Sequence, residues 1–110
     1  MTESNQPLSE QYRVVAKRWV DADEAASIME ETKSVVLSEM MNKLLVNDID
    51  LAHNRAETIA KSSPQWREFV EKMVKLRSRA NLLKAQLEYL RMRHAEQQSS
   101  EATARAEMRL

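Results

Sequence analysis

Residues 62–97, SSPQWREFVEKMVKLRSRANLLKAQLEYLRMRHAEQ, decide the fold. Ser62-Ser63-Pro64 reads as a helix start: a serine oxygen accepts an orphan backbone N–H, and proline at the first helical position loses nothing by lacking its own. From there a heptad runs unbroken, with Trp66, Met73, Ala80 and Leu87 at the a positions and Phe69, Leu76, Leu83 and Leu90 at the d positions. All eight are apolar, whereas the next a and d residues are His94 and Gln97, so the seam closes at Leu90. A helix over 64–97 is roughly 51 Å long at 1.5 Å per residue, against a radius of gyration of ~13 Å for a compact domain of this size. The expectation is an elongated all-α molecule. Its long C-terminal helix needs a neighbouring helix, because an isolated helix is marginal in water.

The residues flanking the seam say what that neighbour is. After Val70 the e positions are Arg77, Lys84 and Arg91, and four of the g positions are Lys72, Arg79, Gln86 and Arg93. Neither flank carries an acid, so a parallel self-pair would set like charges together and an acidic helix is favoured. The segment 23–46 supplies one, with Glu24, Glu30, Glu31 and Glu39 beside an apolar stripe of Ala25, Met29, Val36, Met40 and Leu44, and with Ile28 and Val35 alongside. An antiparallel helical hairpin joined through residues 47–63 follows, with a break at Asn47-Asp48 and a short helix over 49–61. Leu8, Tyr12, Val15 and Trp19 predict a further helix over 8–20, and Asp21 or Asp23 is the candidate cap of the helix after it. Residues 1–7 read as a flexible arm, 8–97 as a single helical domain, and 98–110 as a polar hinge with a helix-permissive, alanine-rich tail. Val74, Leu82, Tyr89 and Met92 lie off the seam and would stay wet in a lone hairpin. This predicts a homodimer in which two hairpins form a dimeric helical bundle.

Composition narrows the function. The 110 residues include no glycine, where about 7% is usual, which argues against phosphate-cradling loops and dinucleotide-binding turns. The lack of cysteine excludes disulfides, thiol nucleophiles and thiolate zinc sites. The net charge of zero conceals a split: residues 1–60 hold 6 Lys/Arg against 11 Asp/Glu, and residues 61–110 hold 11 against 6. Either an acidic helix lies along a basic one or the basic half meets an external polyanion. No run approaches the ~20 apolar residues of a membrane span, and Met1-Thr2-Glu3-Ser4-Asn5-Gln6 lacks a signal peptide's basic and apolar regions. A cytoplasmic setting without membrane contact is expected.

Candidate chemical sites are few. Asp50-Leu51-Ala52-His53 has a carboxylate-x-x-His spacing, but one copy without further inward glutamates reads as helix surface. His94 has no identifiable nucleophile beside it and reads as a polar register-setting residue or a surface imidazole. The acid pairs Asp21 with Glu24 and Glu68 with Glu71 are the basis of a minor alternative, a Mg²⁺-dependent nucleotide hydrolase, although acids at helix starts complement the dipole anyway. Trp19 and Trp66 recur periodically and read as core before base-stacking platforms. The expectation is therefore no catalysis, no cofactor and no metal, and a helical interaction and assembly module acting on a protein partner. The alternative is phosphate-backbone binding of nucleic acid through Lys72, Lys75, Arg77, Arg79, Lys84, Arg91 and Arg93, without sequence readout.

Four stretches carry a resemblance: Ala16-Lys17-Arg18-Trp19-Val20-Asp21-Ala22-Asp23, Glu30-Glu31-Thr32-Lys33, Glu88-Tyr89-Leu90-Arg91-Met92-Arg93 and the tail from Glu101 to Leu110. Over most of residues 14–110 the wording resembles small helical accessory proteins of bacterial temperate phages and prophages. That resemblance implies a bacterial host cytoplasm and an accessory role in phage DNA metabolism, recombination or interference with a host protein, and it brings no catalytic residue. A first prediction follows from the seam alone. Leu83→Asp sets a charge in it and is expected to collapse the assembly, read as loss of the helical circular-dichroism signal.

Overall fold

No glycine or proline lies between Leu8 and Asn47, and the chain there forms one helix, α1 (Leu8–Asn47). The computed structural model describes residues 6–109. After α1 come α2 (His53–Lys61) and α3 (Pro64–Met108), and no strand occurs among the described residues. The expected separate helices over 8–20 and 23–46 are thus one. Asp21 and Asp23 do not cap; an interior aspartate costs only a few tenths of a kcal/mol, and both carboxylates have partners, Asp21 in Lys17 at 3.5 Å and Asp23 in Arg77 at 2.7 Å. α1 starts instead at Pro7, whose carbonyl accepts the N–H groups of Glu10 and Gln11 at 3.0 Å. The rest of the expected arm, residues 1–5, lies outside the described residues, as does Leu110.

The break after Asn47 falls where the sequence places it. Asp48 stops the helix by taking the Asp50 N–H on its side chain at 3.1 Å, an Asx turn that competes with helical continuation. α2 begins at His53 rather than near residue 49, because residues 48–52 are used in that turn. Ser62-Ser63-Pro64 then ends α2 and opens α3, as expected. The Ser63 hydroxyl donates to the Ala60 carbonyl at 2.6 Å and accepts the Trp66 N–H at 3.2 Å, with Pro64 opening α3. No hinge interrupts α3 at residues 97–100, and the helix runs to Met108. Polar residues are not breakers in themselves: Gln97 reaches Glu101, and the Thr103 hydroxyl donates to the Ser99 carbonyl at 3.0 Å, all within helical geometry.

α1 and α3 lie antiparallel. At one end Val15 packs with Leu83, Leu87 and Leu90, joined by Leu8, Ala16, Trp19 and Ala22. At the other, α2 folds back along α1, and Ala56 and Ala60 settle on Met41 among Leu37, Met40, Leu44, Leu45 and Leu51. Between these clusters Ala26 and Ala80 are fully buried. The molecule measures 86 × 28 × 16 Å, with a radius of gyration of 23.8 Å. The shortest dimension is little more than one helix diameter of about 10–12 Å, so the hairpin is a ribbon with two open broad sides. No large side chain is fully enclosed among the described residues; only alanines are. Ser63→Ala removes the α3 cap and is expected to cost about 1 kcal/mol, seen as a lower urea midpoint at unchanged slope.

Candidate interaction site

The eight seam residues are sheltered as their spacing predicts. Trp66, Ala80, Leu83, Leu87 and Leu90 are buried, and Phe69, Met73 and Leu76 are half-buried. Their shield is α1 of the same chain, which carries a seven-residue repeat of its own: Leu8, Val15, Ala22, Met29 and Val36 alternate with Tyr12, Trp19, Ala26, Lys33 and Met40. Lys33 is the one cation in that repeat, and its ammonium lies over the Trp66 ring at 6.0 Å. Trp66 in turn stacks on Phe69 with centroids 5.7 Å apart, and Trp19 packs into the core cluster at the far end. Both tryptophans belong to the packing between helices.

Arg77 ties the two helices together at one level. Its guanidinium donates to Asp23 at 2.7 Å, to Glu30 at 2.7 and 3.0 Å, and to the Ser27 hydroxyl at 3.2 Å. Arg77, Asp23 and Glu30 all occupy e-type positions, and in an antiparallel pair e faces e. The hydrogen bonds from Arg77 hold the Glu30 carboxyl below its ordinary pKa, and both carboxylates raise that of Arg77. The sequence points to an acidic partner for α3, with Glu30 in it, but assigns Asp23 a capping role that it does not have.

The remaining cations divide between the ribbon's two sides. Lys84 and Arg91 share the e flank with Arg77, and Arg91 is raised in pKa by its interaction with Tyr12. Lys72, Arg79 and Arg93 sit on the g flank with Lys75 next to it; all six are exposed. The candidate nucleic-acid residues therefore form two rows and do not converge on one surface.

The g side also carries four of the uncovered apolar residues, while Val20 and Val74, at b-type positions, lie toward the e side. A shallow depression of about 220 Å³ is lined there by Gln11, Val14, Arg18, Gln86, Tyr89 and neighbouring core residues, which shows that these flanks of α1 and α3 share one side. Ile28 and Val35 repeat the heptad position of Val14, and Leu82 repeats that of Tyr89. Ile28 is 55% exposed, Val35 54%, Leu82 62% and Tyr89 59%. Leu82 and Tyr89 stay wet as their off-seam positions predict, together with Val74 and Met92. Ile28 and Val35, expected alongside the α1 stripe, instead point outward, because the face that α1 buries runs through Ala22, Ala26 and Met29.

The other candidates stay apart. Asp50 lies in the turn and His53 starts α2, both exposed, and no group of three or more metal-ligating side chains occurs among the described residues. The pairs Asp21–Glu24 and Glu68–Glu71 are exposed. Trp66 lies beside Lys33 and Arg77 beside Asp23, so the second pair falls about ten residues further along α1 than the first, or roughly 15 Å. His94 is exposed at the rim of an open depression of about 310 Å³ with Leu8, Ser9, Tyr12, Leu90 and Arg91. No protein-family model, curated protein or solved structure matches the chain.

A pH dependence follows from the clamp. The lowered Glu30 pKa contributes stability that is present above the unfolded carboxylate value of about 4.3 and is lost as pH falls through the folded value. Glu30→Gln is therefore expected to lower the melting temperature at neutral pH, with the gap to wild type closing in acid. Parallel melting curves from pH 7 to about pH 3 measure it.

Proposed function

We propose that the protein is a non-enzymatic helical interaction and assembly module, which presents the open side of its hairpin to another protein. The observation that carries this reading is the row of Ile28, Val35, Leu82 and Tyr89, more than half exposed on one side of a ribbon 16 Å thick. Exposed apolar side chains sharing one side mark a contact surface, whereas the same residues scattered singly would not. The flanking cations Lys72, Arg79 and Arg93 add a preference for acidic partners and faster encounter. The resemblance to small phage proteins is in keeping with a bacterial cytoplasm as the place of action and with an accessory role in phage DNA metabolism, recombination or interference with a host protein.

Phosphate-backbone binding is the second reading, favoured by one observation: eight exposed cations on α3 outside the Arg77 clamp, the six candidates with Arg67 and Arg105. Their division between two sides limits how many phosphates one duplex can meet. Catalysis by Mg²⁺-held acids has less support, since its two acid pairs lie at different levels of the hairpin. A salt titration separates the first two readings. Phosphate binding weakens by orders of magnitude between about 50 and 200 mM salt, whereas an apolar contact with a protein changes little. The expected result is capture of a protein partner that survives nuclease treatment and this salt range, and is lost on joint Leu82→Glu and Tyr89→Glu substitution. Retention that depends on nucleic acid would replace this reading with the second.

A further inference from the structure

Resting on the interaction-module reading, we propose that the partner seated on the Ile28–Val35–Leu82–Tyr89 side is a second copy of this chain, turned about an axis along the ribbon so that α3 of each copy lies over α1 of the other. Charge selects this occupant and this axis. From Asp21 to Glu31 α1 carries no base, and from Lys72 to Arg79 α3 carries no acid; Asp23, Glu30 and Arg77 are spent on one another on the e flank, which leaves Asp21, Glu24 and Glu31 on α1 and Lys72, Lys75 and Arg79 on α3. The Arg77 clamp to Asp23 and Glu30 fixes these two segments at one level of the hairpin. Rotation about the long axis keeps every residue at its level while exchanging the two helices, so the basic segment of each copy comes to lie over the acidic segment of the other without any sliding. Rotation about an axis that crosses the ribbon at the level of the clamp instead sets α1 on α1 and α3 on α3, with like charge on like.

Area agrees with charge. The stretch where α1 and α3 run side by side, about 29 residues, is roughly 43 Å long and about 20 Å wide. That offers roughly 850 Å² per partner, against about 800 Å² for a stable specific interface. All neighbouring helices in the resulting four-helix bundle are antiparallel, and the apolar residues of the open sides come to the bundle interior.

The chain's lack of cysteine makes the test clean. Light scattering of the full chain at micromolar concentration is expected to give twice the chain mass, and joint Leu82→Glu and Tyr89→Glu to give a helical monomer, since both side chains are already exposed in the hairpin. Ile28→Cys and Lys75→Cys proteins, mixed and treated with a short bismaleimide, are expected to give a 28-to-75 cross-link, which can form only between chains. A monomeric wild type overturns the self-pairing, even where capture of another protein through Leu82 leaves the module reading intact. A dimer that survives the double substitution overturns the face. A dimer without the 28-to-75 cross-link overturns the axis.

Discussion

The pairing of α3's apolar seam with the seven-residue repeat of α1 is the constraint on which the rest of the molecule depends. Two helices can shield each other along one line only. Each large side chain on that line keeps an edge toward solvent, which is why, among the described residues, alanines alone are fully enclosed. The same limit sets the ribbon shape and leaves two broad sides without cover. α2 relieves it locally by adding a third helix at one end, where Ala56 and Ala60 let its backbone come close to Met41.

An apolar seam of this kind is tolerant of sliding by one heptad, because leucine meets similar side chains at each step. Polar groups at the edge remove the tolerance. The e-type positions of α1 are Ser9, Ala16, Asp23, Glu30, Leu37 and Leu44, and only two of these are acids. Arg77 sits between the two and bonds both. A slide of seven residues in either direction leaves it with one acid, beside Ala16 or Leu37. Its planar fork also makes the pairing directional in a way that a lysine ammonium is not. Register is thus chosen by one guanidinium, while the seam supplies most of the burial.

How much was legible in the sequence depended on which residues carried each element. The α3 seam stood out because large apolar residues fill seven of its eight positions and alanine the eighth. The matching repeat on α1 did not, since its middle is written in Ala22 and Ala26 and interrupted by Lys33. Asp21 and Asp23 added the look of a cap, and so one forty-residue helix read as two. Gln97 to Ser100 misled in the same way, as polarity suggested a hinge where no helix-breaking residue exists. The outward position of Leu82 and Tyr89 was readable from the α3 heptad, but that of Ile28 and Val35 required knowing which face α1 buries.

The charge split between the halves now has a physical form. Part of it is consumed inside the hairpin, where Arg77 meets Asp23 and Glu30. The rest is displayed, with acidic α1 and basic α3 side by side on the same ribbon. A phosphate backbone would satisfy the exposed cations but would gain nothing from Leu82, and it would be repelled by the acids of α1 a helix diameter away. A helical protein surface with both signs of charge and an apolar centre answers all three features at once. The open side of a second copy carries acids, cations and exposed apolar residues together, and this is what the self-pairing proposal draws on.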